Sequence, residues 1–116
     1  MSKYFKEAEL KCSHCDEYVF NAEFLNILNR VRSLFNKPIY ITSGYRCKEH
    51  NKAVGGKANS AHTKGLAVDI KCENSLDRYH LMRIFLDLGI NRIGVGSDFL
   101  HIDVSENLPS PRMWTY

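Results

Sequence analysis

No apolar run in these 116 residues approaches the ~18–20 needed to cross a bilayer, so a membrane-spanning helix is excluded. The opening MSKYFKEAEL has neither the apolar stretch nor the cleavage site of a secretory signal, and the expectation is a chain made in the cytoplasm. There is no basic block either. Sixteen Lys and Arg are interspersed with 13 Asp and Glu, giving a net charge of +3 and predicting no nucleic-acid partner beyond a mild attraction to anionic polymers. Repeats and low-complexity segments are absent. What is present, 44% hydrophobic, 25% charged and 11% aromatic residues, is the composition of an ordinary globular protein and excludes a disordered, collagen-like or simple coiled-coil chain. The length suits one domain over residues 1–116 with one core, expected to act as a monomer without stable membrane insertion.

The four cysteines, Cys12, Cys15, Cys47 and Cys72, are few for a disulfide framework, and a cytoplasmic origin favours reduced or metal-bound thiols. KCSHC supplies one C-x2-C half-site with His14 inside it, but no second C-x2-C follows. Two readings stay open: partly buried thiols near the core, or a second, structural zinc held by Cys12 and Cys15 with one or two of Cys47, Cys72 or His14. A thiol-based redox function built on Cys12 and Cys15 lacks the βαβ surroundings of a thioredoxin-like motif.

Phe24, Leu25, Leu28, Val31, Leu34 and Phe35 recur at three- and four-residue steps after Asn21, predicting an amphipathic helix over 21–36 that Pro38 stops. A short β-branched strand follows over 39–43. Residues 44–64 carry no sustained apolar period, and a long irregular segment in a small domain is often functional. Within it, His50 in KEHN reads as a structural hydrogen-bonder. Alternation over 65–72 puts Leu66, Val68, Ile70 and Cys72 on one strand face, with Ala67, Asp69 and Lys71 on the other. A second helix is expected over 75–88, capped by Ser75, with Leu76, Tyr79, Met82, Phe85 and Leu86 inward, His80 on its surface and Gly89 ending it. Residues 92–95 and 99–104 read as a hairpin turning through Gly96, Ser97 and Asp98, with His101 and Asp103 opposite the apolar Leu100, Ile102 and Val104. Trp114 and Tyr116 in the tail either pack on the core or stack on a substrate. The fold class is α+β, a small, mostly antiparallel sheet flanked by helices.

His62, Asp69 and His101 form the constellation with chemistry in it. Asp69 and His101 each lie on the polar face of a strand, so neighbouring strands would aim both into one cleft. Two imidazoles and a carboxylate leave one position of a zinc tetrahedron for water or substrate, which is the mark of a catalytic site. Alone, H-x6-D is a weak pattern.

The surrounding text is more specific. SGYR at 43–46, then S-x-H-x6-D at 60–69, then H-x-D at 101–103 resembles the zinc D-Ala-D-Ala carboxypeptidase and peptidoglycan endopeptidase family, whose fold is shared with the Hedgehog signalling domain. The resemblance covers nearly the whole chain. It implies a Hedgehog/DD-peptidase-like fold, zinc held by His62, Asp69 and His101, Arg46 over the metal, and a catalytic base three residues before the last His, which here is Asp98. Its substrates would be the stem peptides of peptidoglycan. Well-known carboxypeptidases of the family carry a further His shortly before the last ligand, and Gly94, Val95, Gly96 and Ser97 offer none. They also carry a wall-binding module that is absent here, so the chain looks like the compact version found among phage and prophage lysis enzymes, acting on the wall once released.

Residue chemistry supports these roles. A carboxylate such as Asp98 can accept a proton from an activated water and return it to the leaving amine. Arg46, a planar fork of donors, can stabilise a tetrahedral oxyanion or hold a terminal carboxylate. Ser60 either donates to substrate or caps a turn, and Asp103 either orients His101 or ends its strand. The alternative to an enzyme is a non-catalytic zinc-binding module on the same fold, serving wall recognition or structure.

Overall fold

The computed structural model describes residues 4–56 and 60–116; part of the segment expected to be irregular, residues 57–59, lies outside the described residues. Four α-helices, α1 (Glu7–Leu10), α2 (Ala22–Phe35), α3 (Lys48–Ala53) and α4 (Ser75–Asp87), surround five strands, β1 (Ile41–Ser43), β2 (Ala67–Lys71), β3 (Arg92–Val95), β4 (Phe99–Asp103) and β5 (Arg112–Thr115). The strands form one sheet in the order β1-β2-β4-β3-β5. Every pairing is antiparallel except the parallel β3–β5 edge, so the α+β, mostly antiparallel expectation holds. No helix among the described residues is long and apolar enough to cross a membrane.

Strand alternation divides the sheet into two faces. Val68 and Ile70 of β2 with Leu100 and Ile102 of β4 project to the helix side, where they meet Phe24, Leu28 and Val31 of α2 and Leu81 and Phe85 of α4 in one core. Asn21 caps α2 by accepting from the Phe24 amide, and Asn36 ends it in the left-handed conformation. Leu34, counted with the inward residues, is instead exposed.

The expected stripe of α4 is corrected more extensively. Leu76, Tyr79 and Leu86 are exposed, and the helix docks through Leu81 and Phe85, with Met82, Ile84 and Leu88 partly buried beside them. An i, i+4 pair suffices to seat a helix on a sheet already lined by α2, so the broader apolar arc is left facing outward. Its cap is Asn74, whose side chain accepts from the Asp77 amide, rather than Ser75. Gly89 does end the helix, at φ +90°.

The predicted hairpin is present, closed by a Gly96 amide to Phe99 carbonyl bond of 2.9 Å. The tail contributes a strand that the sequence reading did not separate from simple packing: β5 aligns Trp114 with Gly94. Pro109 and Pro111 mask its short alternating pattern.

Candidate metal centre

One row of register partners crosses the sheet on the face away from the helices: Ser43 beside Asp69, Asp69 beside His101, His101 beside Gly94, and Gly94 beside Trp114. That row places the Asp69 and His101 side chains next to each other. His62 enters from above, on a 3-10 turn (Ala61–Lys64) whose first amides are capped by Ser60: the Ser60 Oγ accepts from the His62 amide at 3.2 Å. Ser60 thus takes the turn-capping role while also lining the cleft.

The three side chains converge. Asp69 Oδ1 lies 3.3 Å from His62 Nε2 and 3.0 Å from His101 Nδ1. The outer ring nitrogens are occupied elsewhere. His62 Nδ1 donates to the Gly44 carbonyl at 2.8 Å, and His101 Nε2 to Asp103 Oδ2 at 2.7 Å. In the neutral rings those partners select tautomers whose inner nitrogens present lone pairs to a carboxylate oxygen. Three electron pairs facing one another call for a positive charge between them, a metal ion or, without one, protons on the rings, and an N2O donor set with further room around it fits zinc.

Without a metal, protonated rings donate to the carboxylate instead. Burial pushes the Asp69 carboxyl up, but hydrogen bonds from His101 and His62 outweigh it and hold the group well below the usual carboxylate range. Burial lowers His101, yet Asp103 and Asp69 on either side raise it overall. Burial likewise raises Asp103, and the bonds from His101 and Arg92 bring it down. Arg92 Nε meets Asp103 Oδ1 at 2.7 Å and its Nη1 bonds the Pro109 carbonyl, so Asp103 is a buried anchor, 1% exposed.

Arg46 reaches the Asp69 carboxylate from its other side. Its Nη2 reaches Asp69 Oδ2 at 3.3 Å, its Nε donates to Ser43 Oγ at 3.0 Å, and its backbone amide donates to the His62 carbonyl at 3.0 Å. One Asp69 oxygen therefore faces the histidines and the other faces Arg46. Asp98 is not among the residues that line the cleft. It sits exposed on the hairpin turn, its carbonyl accepting from the Cys72 amide at 2.8 Å, and the carboxylates that line the cleft are Asp69 and Asp103.

The cleft over the centre measures about 790 Å³. Trp114 forms part of its wall, 5.5 Å from the His101 ring and under the Arg92 guanidinium at 5.0 Å; Phe99 and Tyr116 pair beside it at 4.9 Å. Gly94 makes this possible, because a Cβ there would lie 2.5 Å from Trp114 Nε1 and 2.9 Å from the Tyr116 ring. Trp114 and Tyr116 thus pack against the sheet, as one reading of the tail expects, and also line the cleft.

Of the cysteines, Cys72 is buried in the helix-side core with its thiol raised by burial, and it is no part of any metal-ligating group among the described residues. Cys12, Cys15 and Cys47 do cluster, with sulfurs within 4.8 Å of one another, away from the three-residue centre. His80 is exposed on α4.

Residues 3–103 match the family model described as Peptidase M15. The match includes all three converging side chains and Arg46 and ends at Asp103, ahead of β5. None of the curated proteins matches the chain significantly.

Proposed function

The chain belongs to the peptidase M15 family, the zinc D-Ala-D-Ala carboxypeptidase-like peptidases, and from that premise we propose that it hydrolyses peptide bonds in the stem peptides of peptidoglycan. The observation that carries the reading is the convergence of His62 Nε2, Asp69 Oδ1 and His101 Nδ1 with their outer atoms tied to Gly44, Asp103 and Arg46. His62, Asp69 and His101 would hold a zinc ion, which would supply an acidified water and Lewis-acid polarisation of the scissile carbonyl. The protein's own residues do the rest. Arg46, held by Ser43 and Asp69 at the rim, orients a substrate carboxylate or steadies the oxyanion of the tetrahedral stage. Arg46, Arg92 and Arg112 line the cleft against two carboxylates that are already engaged, and this balance favours an anionic peptide. Trp114 and Tyr116 supply a flat apolar wall for its methyl groups. On this reading the protein is a monomer that reaches wall peptides once released from the cell that makes it.

Asp98 enters as the base by resemblance, and its exposed position outside the cleft lining argues for a proton acceptor elsewhere. The experiment is digestion of purified muropeptides by zinc-loaded protein, followed by mass spectrometry. Wild type should release fragments, and a His62→Ala, His101→Ala double variant should release none. Asp98→Asn should cleave within about tenfold of wild type, whereas loss of ~100-fold or more would return the base role to it. Failure of the wild type on every stem peptide would leave a non-catalytic zinc module.

A further inference from the structure

C-x2-C at Cys12 and Cys15 has a counterpart in the sequence, not a second C-x2-C but C-x2-H at Cys47 and His50. The fold brings the two half-sites together. The Cys12, Cys15 and Cys47 sulfurs lie within 4.8 Å of one another, and all are free thiols. The Cys47 amide donates to Cys12 Sγ at 3.4 Å, and the His50 amide donates to Cys47 Sγ at 3.4 Å. His50 borders this group without its ring lying inside it: its Nε2 is 3.4 Å from the hydroxyl of Ser13, between the two cysteines, and its ring stacks on His14 at 5.9 Å, so a side-chain rotation is needed to turn it to the sulfurs. We propose that Cys12, Cys15, Cys47 and His50 hold a second zinc ion, a closed structural site separate from the catalytic centre.

The donor set and spacing are those of a structural zinc site, in which paired ligands two residues apart come from two turns. Amides aimed at a sulfur favour the thiolate, the form that binds metal. At Cys12 burial raises the thiol, but the amides of Cys47, Cys15 and His14 outweigh it and draw it down to about 7. The Glu17 amide pulls Cys15 down, yet desolvation and the neighbouring Cys12 and Cys47 sulfurs push it up to about 11. Three crowded sulfurs ionise together only around a cation, and loading one would release their protons to solvent. A disulfide would engage two of the three and leave the third and His50 without a purpose. His14 is the competing fourth ligand, with its Nε2 3.7 Å from Glu49; what favours His50 is its place two residues beyond Cys47, the C-x2-H spacing, with its own amide on the Cys47 sulfur.

The site would also serve the catalytic centre. Cys47 directly follows Arg46 and caps α3, while the Tyr45 amide bonds the Leu10 carbonyl at 2.8 Å. Gly44, whose carbonyl holds His62, is pressed against Leu10 so closely that a Cβ would lie 2.5 Å from the Leu10 oxygen. A metal joining residues 12–15 to Cys47 therefore pins the loop that sets both Arg46 and His62.

Cobalt tests this on the full chain, because the catalytic triad contains no sulfur and only the second site can give thiolate-to-cobalt charge-transfer absorption. Protein reloaded anaerobically with Co2+ should show that absorption at about two metals per chain, and the His62→Ala, His101→Ala variant should keep it at about one. His50→Ala should weaken cobalt binding at the sulfur site by ~10-fold or more and His14→Ala by less than ~3-fold, with the reverse order overturning His50 as ligand. Should cysteine variants misfold, the wild type suffices: a thiol-blocking reagent should release about one zinc per chain from the native zinc-loaded protein. Absence of charge-transfer absorption in fully loaded protein, or no zinc released on thiol blocking, overturns the proposal whether or not the protein cleaves muropeptides.

Discussion

The Asp103 carboxylate bridges His101 on one oxygen and Arg92 on the other, in a position almost closed to water. Its effect on the metal is indirect: it fixes which His101 nitrogen carries the proton, and so which one is offered to zinc. Asp103→Asn preserves shape but weakens that choice, because an amide can present its NH2 to His101. Zinc affinity at the triad should fall by ~10–100-fold, as read by chelator competition, with the fold retained. That His62, Asp69 and His101 could share one cleft was legible from residue types and strand faces, and Arg46 joined them by family resemblance. Ser60 was half legible, since S-x-H suits both a cap and a substrate donor. C-x2-H at Cys47 and His50 is present in the sequence, but only the fold sets Cys47 beside Cys12 and Cys15.

Among the elements, β5 departs furthest from expectation and contributes most to the cleft wall. It pairs parallel to β3, and its Trp114 lies over Gly94, where no side chain intervenes. Because the chain has one tryptophan, its emission reports the surroundings of Trp114 alone. Gly94→Ala should push the indole outward and shift its emission to longer wavelength, with little change in far-ultraviolet circular dichroism. An unchanged emission would mean that the indole does not depend on the gap at Gly94. The helices show the opposite balance between pattern and outcome. Helix α2 follows its stripe apart from Leu34, whereas α4 presents Leu81 and Phe85 and leaves Leu76, Tyr79 and Leu86 outside. Apolar residues cover so much of α4 that periodicity does not choose a single face, and the sheet surface left open by α2 makes the choice.

For the molecule as a whole, the centre links stability to pH differently with and without metal. Without zinc, His101 is raised by Asp103 and Asp69, so its contribution is full below the unfolded histidine value of ~6.5 and is lost as pH rises through the higher folded value. Asp69 and Asp103 are lowered, so theirs is present above ~4 and is lost as pH falls through their folded values. Chelator-treated protein should therefore resist urea best between about pH 4 and 6.5 and less at pH 8.5. Zinc-loaded protein should reverse the upper trend, since deprotonated histidines bind metal better. A metal-free protein equally stable at pH 5.5 and 8.5 would show that the His101 chain contributes nothing to folding.

Motif order and strand alternation in the sequence determined the α+β class, the hairpin, the polar faces of Asp69 and His101 and the candidate group of His62, Asp69 and His101, because each follows from local periodicity and from residue types able to bind zinc. Only the tertiary structure decided which atoms converge. The shared row of the sheet joined Asp69 to His101, the Gly44 and Asp103 contacts selected the ring nitrogens, and the hairpin turn kept Asp98 outside the cleft. It also separated Cys72 from the other three thiols and placed His50 beside them. Those outcomes depend on contacts between residues far apart in the chain, which no local pattern encodes.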